Sequence, residues 1–181
     1  MERKKLKKAD FKEGRPTVLT DIYTFKYIAQ KLNKQQEYSY KNFEYNLFAQ
    51  VNNELIKSKV ANIIITNDEE HTYHNYDNAT QRNAFISNYA EEKGLSKNGL
   101  YALLLDLEDI NIQTITSNCQ FYIYIIDMAT METVNRYEYD IHADDIRGDN
   151  EIEILNNLIF DIADHCKYLL KDQIKKDSKK K

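Results

Sequence analysis

The sequence predicts a single α/β domain: one mixed β-sheet with an antiparallel C-terminal hairpin, flanked by about three helices. Segments with the period-two pattern of strands alternate along the chain with segments of helical spacing. The 181 residues are enough for one domain that buries roughly two thirds of its unfolded surface. We find no internal repeat and no long linker, so we predict one domain over residues 14–170, between basic tails at 1–13 and 171–181.

The first half of the chain predicts a strand, a helix and a second strand. Arg15-Pro16 precedes a β-prone run from Thr17 to Phe25. From Ser39 to Lys59, apolar residues recur every fourth position, which predicts a helix with one buried stripe. We expect a short buried strand from Val60 to Thr66 and then a polar loop from Asn67 to Asp77.

The second half predicts two more helices and a strand between them. Asn78-Ala-Thr-Gln81 fits a capping box that starts a helix, and Gly94 is a natural end for it. Leu100 to Leu107 is apolar almost throughout and predicts a strand. Asn150 to Glu153 fits a second capping box, and the apolar stripe from Leu155 to Leu170 should pack on the sheet.

The segment from Gln120 to Tyr139 predicts an antiparallel hairpin, because two β-rich runs flank a polar turn. Apolar or aromatic residues occupy both faces of its first run, which is typical of a central strand. The turn carries Asp127, Thr130 and Glu132. It resembles the lipid-side D-x-x-T-G-E hairpin of the penicillin-binding-protein activator lipoproteins (LpoB type) and the related curli secretion component CsgG.

The resemblance extends beyond the turn, with one departure from the pattern of those families. Met131 occupies the position where those families usually have glycine, the residue favoured where a turn needs positive φ. The start at Arg15 to Val18, the break from Gly94 to Leu104 and the order of elements are also similar, over about residues 14–170. The resemblance implies a non-enzymatic, envelope protein-binding domain without a cofactor, which docks on a peptidoglycan synthase or another envelope partner.

The same resemblance implies a periplasmic location, with a lipid anchor in the outer membrane if an export signal preceding Met1 has been removed. A cytoplasmic protein-interaction domain stays open as an alternative. No apolar run approaches the ~20 residues of a membrane span, so we predict no transmembrane segment in this chain. Cys119 and Cys166 have no C-x-x-C spacing and are interpreted as buried free thiols.

The charge distribution limits the classes of partner. Residues 1–12 hold six Lys or Arg and two acids, and residues 167–181 hold seven and two, which leaves 12 basic and 25 acidic residues between them. An acidic body repels phosphate backbones, so we predict no nucleic-acid partner. We expect both tails to be solvated ends that aid solubility. The alternative is that they bind anionic lipid or nucleic acid.

Four tyrosines on the predicted hairpin are the candidate partner surface: Tyr122, Tyr124, Tyr137 and Tyr139. A stacking surface for single-stranded nucleic acid would be framed by Lys and Arg, whereas only Arg136 is near. Core packing or a protein contact explains the tyrosines better, because Tyr combines a large rigid apolar area with a polar tip.

An enzymatic function has little support in the sequence. His71, His74 and His142 lie near carboxylates and could ligate a metal, which keeps a metal-dependent hydrolase as a further alternative. Their spacing matches no ligand motif, however, and H-E-x-x-H, G-x-S-x-G, P-loop and G-x-G-x-x-G motifs are all missing from the sequence. We predict no catalytic, cofactor-binding or metal-ligating residues.

Overall fold

The computed structural model describes residues 3–25, 34–67, 74–106, 118–142 and 147–181. Its elements are, in order, β1 (Thr17–Phe25), α1 (Lys34–Ser58), β2 (Asn62–Ile65), β3 (His74–Tyr76), α2 (Ala79–Glu92), β4 (Leu100–Asp106), β5 (Asn118–Asp127), β6 (Glu132–His142) and α3 (Glu151–Ser178). Within these ranges the strands form one mixed sheet, flanked by three helices. The predicted α/β class is confirmed.

The sheet has a parallel part and an antiparallel part. Its strands lie in the order β2-β1-β4-β5-β6, and β3 pairs with the end of β1 beyond β2. Thr17 pairs with Asn62 on one side and with Leu100 on the other, so β1, β2 and β4 start at the same level. β5 and β6 are antiparallel, with Ile123 opposite Tyr137, and this confirms the predicted hairpin.

β3 lies inside the segment from Asn67 to Asp77, where we predicted a loop, and that prediction was wrong for these three residues. The Asn67 side chain accepts a hydrogen bond from the Ile22 N–H and donates one to the Ile22 carbonyl, both at 3.2 Å. Its carboxamide thereby replaces a strand residue between β2 and β3. So short a strand carries too little alternation to be recognised from sequence.

The helix bounds differ from the prediction at two places. α1 begins at Lys34 rather than Ser39, because its first residues are good helix formers without an apolar period. α3 continues to Ser178, so the C-terminal tail predicted from residue 171 is mostly helical. None of the helices in the described ranges is both long and apolar enough to cross a membrane.

The N-terminal residues run along α1 instead of forming the solvated tail that we expected. The Lys4 N–H donates to Asn46 Oδ1 at 2.9 Å. Asn53 binds the same segment through both ends of its carboxamide, since its Oδ1 accepts from the Lys7 N–H at 2.6 Å and its Nδ2 donates to the Lys5 carbonyl at 3.0 Å. Side chains of α1 therefore hold this basic segment through its backbone.

Both predicted capping boxes form the N-cap hydrogen bond at the start of a helix. Asn78 accepts from the Gln81 N–H at 2.9 Å, and Asn150 accepts from the Glu153 N–H at 3.0 Å. The Gln and Glu side chains each reach back to the N–H of the residue before the cap. Gly94, at φ +64, follows the last turn of α2 and ends it as predicted.

Helices cover both faces of the sheet, which creates two cores. α1 and α3 pack on the face that carries Val18, and α2 packs on the face that carries Leu19. Leu158 and Ile162 of α3 are buried in the first core, as the apolar stripe predicted.

The turn between β5 and β6 closes at Asp127 and Glu132, as predicted. Met131 has φ +57, and its N–H donates to the Asp127 carbonyl at 2.7 Å. This left-handed conformation favours glycine, and Met131 adopts it despite its Cβ. Met131 keeps the conformation with its side chain half-buried against the core under α2.

Just beyond the turn, β6 contains a β-bulge at Val134. Ile126 pairs with Thr133, but Ile125 pairs with Asn135, so Val134 has no partner on β5. One extra residue turns every later side chain of β6 to the opposite face of the sheet. The bulge therefore decides which aromatic residues of the hairpin lie together.

Candidate functional site

The four tyrosines predicted as one surface lie on two opposite faces of the hairpin. Ile123 and Tyr137 are direct partners and share the face that packs against α3. Tyr122 and Tyr124 flank Ile123 in β5 and therefore point to the other face, while Tyr139 points the same way as Tyr137. The structure brings the tyrosines together as two separate pairs.

Tyr137 and Tyr139 pack against α3. The Tyr139 hydroxyl donates to the Asp161 carboxylate, and the Tyr139 ring is buried. The His165 ring lies between the two tyrosines, with centroids 4.8 Å from Tyr137 and 4.9 Å from Tyr139. The contacts of this pair fix the hairpin to α3.

Tyr122 and Tyr124 form the second pair, and Arg136 lies over them. Their rings are stacked with centroids 5.9 Å apart and planes inclined by 26°. The Arg136 guanidinium is 4.4 Å from the centroid of Tyr122 and 5.6 Å from that of Tyr124. We call these three residues the tyrosine shelf. Arg136 and its neighbour Glu138 are exposed, so this end of the sheet face is open to solvent in the part of the chain that the structure describes.

A buried polar chain adjoins the tyrosine shelf under α2. Arg82 Nη1 donates to the Tyr23 hydroxyl at 2.7 Å, which donates to Asp106 Oδ2 at 3.0 Å. Asp106 is the direct partner of Tyr122 across β4 and β5. Burial, followed by the charge of Asp106, raises the pKa of Tyr23. Burial and the same carboxylate also raise the pKa of Tyr124, against opposing effects of Arg136 and Arg82.

A second polar cluster surrounds Asp21 on the same face. The Asp21 side chain is 1% exposed and accepts from Thr66 Oγ1 at 2.9 Å, from the Tyr76 hydroxyl at 2.7 Å and from His74 Nδ1 at 2.6 Å. So short a contact with a carboxylate places a proton on Nδ1 of His74. Burial and the Asp21 charge raise the pKa of Tyr76. Three donors thus compensate the buried carboxylate.

The histidines considered as metal ligands are only partly described. His71 lies outside the described residues, and for His142 only the backbone is described. His74 is bound to Asp21. Among the residues that the structure describes, no group of three or more His, Cys, Asp and Glu side chains could hold a metal ion. Cys166 is a buried free thiol whose pKa is raised by burial.

Sequence reasoning missed the buried polar residues on this face of the sheet. Asp21 interrupts the apolar and aromatic run of β1, and Asp106 ends the apolar run of β4. A carboxylate inside a strand with two covered faces requires donors in the fold, and that signal is visible in the sequence. The donors themselves, Tyr23 to Asp106 and His74 to Asp21 among them, could not be identified because they come from distant positions.

Comparisons with known proteins give no family for this chain. No protein-family model matches it, and the search among curated proteins gives no match. Among solved structures, the chain is similar to PelC from Paraburkholderia phytofirmans, which was solved as a dodecamer. The similarity has a TM-score of 0.44 and 12% identity, and it covers 88% of this chain and 90% of that one. A similarity this weak gives no information about the function of this chain.

Proposed function

We propose that this chain is a non-enzymatic protein-binding domain that contacts its partner through the tyrosine shelf. The observation that supports this proposal is the stacked pair Tyr122 and Tyr124 beneath Arg136, on an open end of the sheet face. Tyr and Arg are the residue types that most often supply binding energy at protein interfaces. The rings are already stacked and half-buried, so binding a partner would order few additional rotamers.

The charges around the shelf favour a protein over a nucleic acid. Glu138, the direct partner of Tyr122, is exposed beside the rings, and Asp106 lies on the other side of Tyr122. A nucleic-acid surface would need several cations to follow a phosphate backbone, whereas Arg136 is the only exposed cation over these rings among the residues that the structure describes. A protein segment that offers an apolar group to the rings and a carboxylate to Arg136 suits this arrangement.

The resemblance of the hairpin to the activator lipoproteins supports an envelope partner, and a peptidoglycan synthase is the partner that we propose. A periplasmic domain with a lipid anchor at the outer membrane belongs to the same proposal. The alternative is a cytoplasmic protein-interaction domain. The native gene start distinguishes the two, because a signal peptide ending in a lipid-modified Cys supports the envelope location.

The proposal is tested by quantitative capture from envelope and cytoplasmic extracts, followed by mass spectrometry. The bait is the purified chain, compared with a Tyr122→Ser/Arg136→Ala variant and a matched Tyr168→Ser control, since Tyr168 is 67% exposed on α3. Capture of a peptidoglycan synthase by the chain and the control, with loss in the shelf variant, supports the proposal. Equal capture by all three baits overturns the role of the shelf, and capture of cytoplasmic partners alone favours the alternative.

One observation favours a metal-dependent hydrolase as a second candidate function. A ligating histidine usually donates its other ring N–H to a carboxylate, and His74 does so to the buried Asp21. That arrangement leaves Nε2 of His74 as the nitrogen that could bind a metal. Metal analysis decides between the two candidates.

A further inference from the structure

One end of the sheet, which we call the basal end, collects the starts of the parallel strands and the hairpin turn. Thr17, Asn62 and Leu100 are level with one another at the starts of β1, β2 and β4. The hairpin turn reaches the same level, because the Met128 N–H donates to the Leu100 carbonyl at 3.0 Å.

All three described helices also end at the basal end. α1 stops at Ser58, four residues before β2 starts, and α2 leads through Gly94 into β4. α3 is fixed there by its last turns, since the Tyr101 hydroxyl near the start of β4 donates to Asp177. The C-terminal ends of three helices, on both faces of the sheet, thus share one end of the molecule.

Basic side chains concentrate at this end. They come from the helix ends and from the N-terminal segment, and most are exposed: Lys12, Arg15, Lys57, Lys59, Lys93, Lys97, Lys175, Lys176, Lys179, Lys180 and Lys181. They outnumber the acids of the same end: Asp10, Glu13, Glu91, Glu92, Asp127, Glu132, Asp172 and Asp177. We call this set of basic side chains the basal lysine face.

Only part of this charge is neutralised within the molecule. Lys97 pairs with Glu91 and Lys176 pairs with Asp172, both at 2.7 Å. Lys57 and Lys175 form no ion pair with any described residue, although both are exposed in the last turns of their helices. The rest of the chain holds more acids than bases, so the basal end is more positive than the remainder of the molecule.

We propose that the basal lysine face docks on the surface of an anionic lipid bilayer. Its charges come from helices on both faces of the sheet and spread over a broad end rather than along one groove or one helix. A planar anionic surface matches this spread, whereas a nucleic-acid backbone is a line of charge that needs a groove or a stripe.

An exposed aromatic residue lies beside the basal lysine face. Phe11 is 59% exposed, and the next residue is fixed at the start of β2, because the Lys12 N–H donates to Asn62 Oδ1 at 2.8 Å. An apolar ring among lysines suits the boundary between headgroups and acyl chains. The tyrosine shelf lies several residues up β5 from the basal end, so it stays accessible to a protein while the base is docked.

The test is sedimentation of the full chain with vesicles of phosphatidylcholine mixed with phosphatidylglycerol, and with vesicles of phosphatidylcholine alone. The chain should bind only the anionic vesicles, and added salt should weaken binding. A Lys57→Gln/Lys175→Gln variant should bind about 25-fold more weakly, at about fivefold per lysine. The matched control, Arg3→Gln/Arg147→Gln, removes two exposed charges away from the basal end and should bind as the parent does.

Three results would overturn the proposal. One is equal binding to both kinds of vesicle, and another is an equal loss in the basal variant and the control. The third is binding to a single-stranded oligonucleotide, measured by fluorescence anisotropy, without binding to anionic vesicles. Thermal melts of both variants establish that they fold, and the vesicle assay needs no protein partner, so its failure leaves the proposed protein-binding function untouched.

Discussion

The Asp21 carboxylate lies 2.6 Å from Nδ1 of His74, and this contact links the middle of β1 to the first residue of β3. β3 has only three residues, and within the described chain it pairs with β1 alone. Its position therefore depends on side chains as much as on backbone pairing. The donors to Asp21 at the two ends of β3, His74 and Tyr76, hold the strand in place, and α2 follows directly after it.

Replacing His74 should test this attachment. His74→Ala removes a donor from the buried Asp21 carboxylate and should lower the free energy of unfolding by about 1–3 kcal/mol. The matched control is Asn75→Ala, an exposed residue of the same strand, with an expected loss below about 0.5 kcal/mol. Denaturant melts measure both. Equal losses in the two variants would show that His74 contributes no more than a surface residue.

Met131 provides a test of the turn. At φ +57 a residue with a Cβ is strained, so Met131→Gly should be more stable than Met131→Ala by about 1 kcal/mol. Both variants lose the long side chain, so their difference isolates the backbone. At Thr133, a residue of β6 whose φ is not positive, the order should reverse, with Ala more stable than Gly. If Ala were the better residue at both positions, the left-handed turn would be contradicted.

Leu158 tests the packing of α3 on the sheet and α1. Leu158 is 1% exposed in the core between them, so Leu158→Ala should cost about 2–5 kcal/mol. Ile152 lies in the same helix and is 53% exposed, so Ile152→Ala should cost less than about 1 kcal/mol. Denaturant melts compare the two. A loss below about 1 kcal/mol for Leu158→Ala would place this helix outside the core.

The order of elements could be predicted from the sequence because each long element carries its own period. The stripe of α3 repeats over several turns, and the capping residues Asn78 and Asn150 mark two helix starts. The three residues of β3 carry no such period. Their attachment depends on Asp21, which is distant from β3 in sequence and becomes its neighbour only in the fold.

The tyrosine shelf could be predicted only in part, because its composition depends on the β-bulge at Val134. In a hairpin that closes at Asp127 and Glu132 without a bulge, Tyr122 would be the direct partner of Tyr137, and the four tyrosines would share a face. The bulge at Val134 shifts the register by one residue and sends Tyr137 to the α3 side. No feature of the sequence distinguishes Val134 from an ordinary strand residue.

Alkaline pH should destabilise the fold through its buried and half-buried tyrosines. Burial, the hydrogen bond to Asp177 and the charge of that carboxylate raise the pKa of Tyr101 from 10.0 to about 12. Burial also raises the pKa of Tyr23 and Tyr76. The folded protein therefore retains protons that the unfolded chain releases. The contribution of these tyrosines to the free energy of unfolding is fully present below pH 10 and is lost as the pH rises through about 12.

Denaturant melts on either side of this pH window measure the effect, and Tyr101→Phe is the comparison variant. It removes one of the retained protons, so its stability should fall less steeply with pH than that of the parent. An exposed tyrosine, Tyr168, supplies the control, since Tyr168→Phe should leave the slope unchanged. Parallel slopes for the Tyr101 and Tyr168 variants would contradict the role of the Asp177 contact.

Chelation separates the two candidate functions. A structural metal couples strongly to folding, so a protein-binding domain of the kind proposed should keep its melting temperature in chelator and contain no stoichiometric metal. Elemental analysis and thermal melts of the purified chain measure both. One equivalent of zinc or manganese, lost with a large drop in melting temperature, would favour the hydrolase. In that case His74→Gln should abolish metal binding while Asn75→Ala retains it, because His74 is the histidine whose ring is oriented by a buried carboxylate.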